Sequence, residues 1–194
     1  MAERKYLTES ELRQFMLVVK SERDRAIWTI CYWRGLRASE IGVIPWSDWD
    51  QKKKKLYVFR LKRSLAGEFP LSPAETKALT AWKEIRGNGP GPMFPSRNSA
   101  SFEKHDKGKQ AAGIGRGRIH VLFSQYAMKA GLPEHLRHPH CLKHSLCTHL
   151  IAKGASLYDV KDWAGHRSIS STMIYAQMRN AERDAAARKV YEQG

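Results

Sequence analysis

His140-Cys141-Leu142-Lys143-His144-Ser145, Gly165-His166-Arg167-Ser168 and Thr172-Met173-Ile174-Tyr175 mark out the stretch 140–175 on which the reading of this chain turns. Helical spacing of its apolar residues predicts a helix over 141–153, stopped by Gly154 in the position after the last turn. Two more helices are expected over 156–164 and 171–178. His140, Lys143 and His144 are three and four residues apart, which places them on one helix face. A tyrosine, several imidazoles and a cation thus recur at short intervals near the end of the chain.

Working outward, the preceding residues alternate between helix signals and one hairpin. Thr8-Glu9-Ser10-Glu11 is a capping box, followed by Leu12, Phe15, Met16 and Val19 at helical spacing. A second helix is expected over 24–34 with Gly35 as its stop. Residues 55–61 are rich in β-formers and read as a strand, 63–67 as a turn and 68–71 as the return strand. Ser72-Pro73-Ala74-Glu75 opens a helix to about Arg86, with Ser as cap and Pro in the first turn. Residues 96–117 read as a basic loop, and Ile119, Leu122, Phe123 and Tyr126 mark the helix after it. The fold class expected is mainly α with a small antiparallel β-sheet.

Composition narrows the function. The 194 residues carry 34 Lys and Arg against 19 Asp and Glu, a formal net charge of +15. A folded domain this basic meets a polyanion, and nucleic acid is the commonest. No run of apolar residues is long enough for a membrane span, and no leader or lipidation pattern is present. The three cysteines, Cys31, Cys141 and Cys147, match no zinc or redox spacing and read as reduced thiols. His135, His138, His140, His144 and His149 raise the question of a metal, but no Glu, Cys or carboxylate stands at ligand spacing, so none is expected. The six tryptophans read as core or core-edge residues rather than base-stacking platforms.

Gly35-Leu36-Arg37-Ala38-Ser39-Glu40 resembles the first signature box of the tyrosine recombinase (phage integrase) family. The 140–145, 165–168 and 172–175 segments resemble its later boxes, in order and at the family's spacing. The short form and the His138-Pro139-His140 lead-in are similar to the fimbrial phase-variation recombinases. The resemblance spans about Tyr6 to Tyr175. It implies the DNA breaking-rejoining fold over residues 1–179, a tail helix over 180–194 for docking onto a neighbouring protomer, and no N-terminal core-binding domain.

The resemblance also implies roles. Tyr175 would be the nucleophile, Arg37 and His166 ligands of the scissile phosphate, and His140 a proton acceptor or phosphate ligand. Lys62, late in the first hairpin strand, would be the general acid. Glu40 would hold Arg37 from behind, and His144 would be a structural residue of its box. These residue types fit the chemistry. A phenol can attack phosphorus and store the bond as an ester. Arg and His donors stabilise the charge that develops on the non-bridging oxygens. The leaving 5′-oxygen needs a proton. Neither metal, ATP nor another cofactor is needed, because the ester conserves the bond. The departure is Lys143, where the family keeps its second Arg. The charge survives there, but the two-pronged guanidinium does not.

The function expected is therefore site-specific recombination or integration through a 3′-phosphotyrosyl intermediate. Two alternatives stay open: a weakened or inactive DNA-binding regulator of the same fold, and a type IB topoisomerase-like nicking and resealing enzyme. The expected partners are double-stranded DNA and other protomers assembled on it, in a cytoplasmic, nucleoid-associated setting. Candidate DNA-contacting residues are Lys52, Lys53, Lys54, Lys55, Arg60, Arg63, Lys107, Lys109, Arg116, Arg118 and Arg167.

Overall fold

A computed structural model describes residues 3–61, 64–96 and 112–176. The tail expected over 180–194 lies outside them, as do Lys62, Arg63, Lys107 and Lys109. Helix α1 (Glu9–Val18) starts at the capping box: the Thr8 hydroxyl accepts from Glu11 N, and the Glu11 carboxylate accepts from Thr8 N at 2.8 Å. Arg4 grips the same carboxylate with two 2.6 Å bonds and, more than any other group, lowers its pKa to about 2. Helix α2 (Glu22–Trp33) begins two residues earlier than expected because Ser21 caps it. The short α3 is Ala38–Ile41.

Three strands follow in the order β1 (Trp49–Asp50), β2 (Lys55–Val58) and β3 (Gly67–Pro70), all antiparallel. Leu56 opposes Phe69, and Tyr57 opposes Glu68. Leu56 and Val58 turn inward while Tyr57 faces solvent, the alternation expected of a sheet with one wet face. The first hairpin strand was expected to run to residue 61, but pairing stops at Val58. The reason is Arg60, whose side chain turns into the protein and pulls the chain off the ladder.

Helix α4 (Pro73–Arg86) starts with Ser72 as cap and Glu75 in the reciprocal position. Helix α5 (Arg116–Lys129) begins inside the stretch expected to be loop. The amide of Ile114 donates to Phe94 O at 2.8 Å, which fixes the approach, and Gly115 then caps the helix. Helices α6 (His140–Ala152) and α7 (Leu157–Trp163) come next, and residues 170–176 are helical again.

Two apolar clusters hold these elements. The larger is centred on α1, α2, α4 and α5. In it Phe15 stacks on Phe123 at 4.7 Å, and Trp28 meets Phe123 edge-on at 5.3 Å. The smaller joins Cys147 and Ile151 of α6, Val160 of α7, Ala164 and the ring of Tyr175. Packing of the helical segment 170–176 is therefore the same event as placement of Tyr175.

Candidate active site

Helix α6 builds one wall. Lys143, His144 and Cys147 follow one another on its inner side, with His140 exposed one turn earlier along the same face. The Tyr175 hydroxyl lies 2.9 Å from His144 Nδ1, and the tyrosine is only 3% exposed. The His166 ring lies parallel to that of Tyr175, within 7° and with centroids 6.3 Å apart. His166 in turn is tied through Nδ1 to Thr172 Oγ1 at 3.0 Å. His140 and His144 meet edge to face at 4.6 Å. Among the described residues no group of three or more His, Cys, Asp or Glu is placed to hold a metal ion.

Arg37 forms the second wall. Glu40, fully buried, accepts from the Arg37 amide at 2.8 Å and from its Nη1 at 2.9 Å. Nη1 also donates to Ser64 Oγ at 2.8 Å, and the Arg37 side chain stays 27% exposed. The backbone of the same arginine is thus fixed while its guanidinium keeps a free edge. Glu40 additionally accepts from the Leu61 amide at 3.1 Å, which ties the end of the hairpin to the box that carries Arg37.

Arg60 corrects one expectation. It was grouped with the DNA-contacting residues, yet its side chain is fully buried. It donates to the carbonyls of Arg34, Gly35 and Trp163 and sits 3.4 Å from Glu40. It is a strut between α2, the Arg37 box and α7, and cannot touch a phosphate from there. Gly165, at φ +65°, lies against it: a Cβ there would stand 2.9 Å from Arg60 Nε and 3.1 Å from Leu65 O. Close approach and left-handed backbone both call for glycine. Arg34 is a second strut, paired with buried Glu75 at 2.7 Å and stacked on Trp163 at 4.6 Å.

Lys143 is 2% exposed, and its Nζ donates to Ala164 O at 2.6 Å. It therefore braces the loop that carries Gly165 and His166 from below. Burial, reinforced by Arg60 and Arg37, lowers its pKa to about 8. The imidazoles feel the same environment. Burial followed by neighbouring Lys143 pushes His140 down to about 4 and His166 down to about 3. Burial and neighbouring His140 lower His144 to about 4. All three are neutral at pH 7. The Tyr175 phenol is pushed up, by burial first and the Cys147 thiol second. The phenol stays protonated, and the direction of its bond to His144 Nδ1 follows the imidazole tautomer.

The remaining candidates sit outside this cluster. Lys52, Lys53 and Lys54 are exposed in the β1–β2 turn, with Lys53 3.4 Å from Asp50. Lys55 pairs with Glu68 at 2.6 Å across the hairpin. Arg116 and Arg118 are exposed on the first turn of α5, and Arg167 is exposed beside His166. Sequence reasoning missed Thr172, and it gave His144 only a structural role. The signal for Thr172 was present in its spacing: it lies three residues before Tyr175, on the same face of a helix.

The phage integrase family matches residues 5–182. The type 1 fimbriae regulatory protein FimB of Escherichia coli (strain K12) is 31% identical over 176 residues, covering 89% of this chain and 84% of that protein. Tyrosine recombinase XerC of Chromohalobacter salexigens is 30% identical over 156 residues, 80% of this chain but 48% of XerC. Among solved structures, XerA recombinase superposes with a TM-score of 0.77 at 21% identity, covering all of this chain and 66% of that one. The Tn1549 transposon integrase, solved with transposon right end DNA, gives 0.72 at 17% identity over 96% of this chain and 67% of that one. No described helix is long and apolar enough to cross a membrane. This chain belongs to the phage integrase family of tyrosine recombinases, enzymes of site-specific recombination.

Proposed function

We propose that this chain cleaves and rejoins double-stranded DNA through a 3′-phosphotyrosyl bond at Tyr175, without metal or ATP. One observation carries the reading: the buried Tyr175 phenol lies 2.9 Å from a ring nitrogen of His144, whose pKa is lowered, beside a cluster of cations. With the His144 proton on Nε2, Nδ1 is a proton acceptor in contact with the oxygen that must attack. The Tyr175 oxygen bonds to phosphorus, its proton passes to His144, and the bond to the 5′-oxygen breaks. Lys62 supplies the proton that the leaving oxygen takes up. Arg37, through its free edge, and His166 bind the non-bridging oxygens, where donors are worth most. His140, exposed at the start of α6, is the third phosphate donor.

Lys143 takes a different part from an arginine at this position. Bonded to Ala164 O, it acts through its field and by holding the His166 loop. An anion entering the site relieves the repulsion among Arg37, Arg60 and Lys143, which favours binding of a phosphate there. The exposed lysines of the β1–β2 turn, with Arg116, Arg118 and Arg167, hold the duplex backbone. The α5 cations stand at a helix N-terminus, which favours phosphate further. Strand exchange needs paired sites, so further protomers assemble on the DNA.

A second reading draws on the buried Lys143: a regulator that binds DNA and cleaves it slowly. One experiment separates the two. The protein is mixed with labelled DNA from around its own gene, nicked so that the cut end diffuses away, and then denatured. A covalent adduct in the native protein that is lost in Tyr175→Phe supports cleavage. Retarded DNA with no adduct, but with one in Lys143→Arg, supports the regulator.

A further inference from the structure

The buried bond between Thr172 and His166 has a direction, and the direction matters. A neutral imidazole has one proton, so only one of its nitrogens can donate. Thr172 is fully buried, His166 is 7% exposed, and Thr172 Oγ1 lies 3.0 Å from His166 Nδ1. If Nδ1–H donated to the threonine oxygen, the hydroxyl proton would need a second acceptor. Among the described residues Thr172 Oγ1 makes no other hydrogen bond. A buried hydroxyl proton without an acceptor costs about 1–3 kcal/mol. With the hydroxyl donating to a bare Nδ1, both groups are satisfied.

We infer that Thr172 is a positioning residue whose hydroxyl donates to His166 Nδ1 and thereby holds the ring proton on Nε2, the nitrogen left to face an anion. The backbone supports the placement from both sides. The Thr172 amide donates to Ile169 O at 2.8 Å, and the His166 amide to Lys161 O at 2.8 Å. Thr172 and Tyr175 share one helix face, so one short segment engages two histidines: Thr172 takes His166, and Tyr175 takes His144. When residues 170–176 dock, the nucleophile and the donor tautomer are set together. When they leave, both are lost together. That consequence for catalysis rests on the phosphotyrosyl reading above; the tautomer itself does not.

The test is nitrogen-15 NMR of the His166 ring, assigned by its loss in His166→Gln. Wild type is expected to show a protonated Nε2 and an unprotonated, hydrogen-bonded Nδ1. Thr172→Val keeps the shape and removes the hydroxyl, so it is expected to raise the population protonated on Nδ1, while Thr172→Ser restores the wild-type pattern. A wild-type ring protonated on Nδ1 overturns the inference, and that result needs no folded variant. Unchanged ring shifts in Thr172→Val overturn it as well. In the trapping assay Thr172→Val is expected to form adduct roughly tenfold more slowly or worse, with Thr172→Ser close to wild type. A wild type that forms no adduct but shows Nε2–H would count against the phosphotyrosyl reading and still support the tautomer assignment.

Discussion

Two layers of cations surround the Arg37 box and the His166 loop, and they do opposite things. In the lower layer Arg34, Arg60 and Lys143 are buried and committed, to Glu75, to backbone carbonyls and to Ala164 O. In the upper layer Arg37 is held from behind by Glu40 yet remains partly open, and Arg167 reaches solvent beside the neutral His166. The lesson is that positive charge in this protein is not one resource. Buried cations hold the Arg37 box, the hairpin and the His166 loop in register. Only the open ones remain to take a phosphate.

The largest expected effect breaks the lower layer. Arg34→Ala leaves Glu75 buried without its partner and is expected to cost about 3–5 kcal/mol, read as a lower urea midpoint. If the midpoint barely moves, the layer is not a foundation. The upper layer should behave in the opposite way. Arg37→Ala is expected to slow adduct formation by about 10²–10³ while the protein stays folded, measured by trapping kinetics beside circular dichroism. A variant that unfolds instead would place Arg37 in the lower layer.

Gly165→Ala sharpens the boundary between the layers. It forces a Cβ against Arg60 Nε at positive φ and is expected to cost about 1–3 kcal/mol in denaturant unfolding. It should also weaken cleavage, because His166 follows directly. The smallest effect concerns pH. Folding lowers the Lys143 pKa from 10.5 to about 8, so between these values the unfolded chain binds the extra proton. Stability owed to this group therefore rises with pH across that window. Lys143→Met lacks the rise, so its stability relative to wild type should be greater at pH 7 than at pH 10 in matched urea titrations. A gap independent of pH would mean that the lysine is not desolvated.

Much of this was legible in the sequence, and the exceptions share a cause. The Thr8 and Ser72 caps, the Gly35 stop and the link from Arg37 to Glu40 are local, fixed by residues three or four apart. Arg60 was not legible. In a basic hairpin one arginine looks like another, and only the approach of α2 and α7 carbonyls makes this one a strut. The early end of β2 follows from the same burial. Thr172 was missed, and His144 was given only a structural role, because their partners come from folding back residues 170–176 onto α6 and the 165–168 loop. Spacing could place Tyr175 near the site, but not name the imidazole that would meet its hydroxyl.

The central claim is that Tyr175 carries the DNA. The most direct measurement is to digest the trapped adduct with nuclease and protease and to find the nucleotide-bearing peptide by mass spectrometry. The expected result is a nucleotide joined through its 3′-phosphate to Tyr175. A nucleotide on any other side chain, or none in an adduct-competent protein, would contradict it.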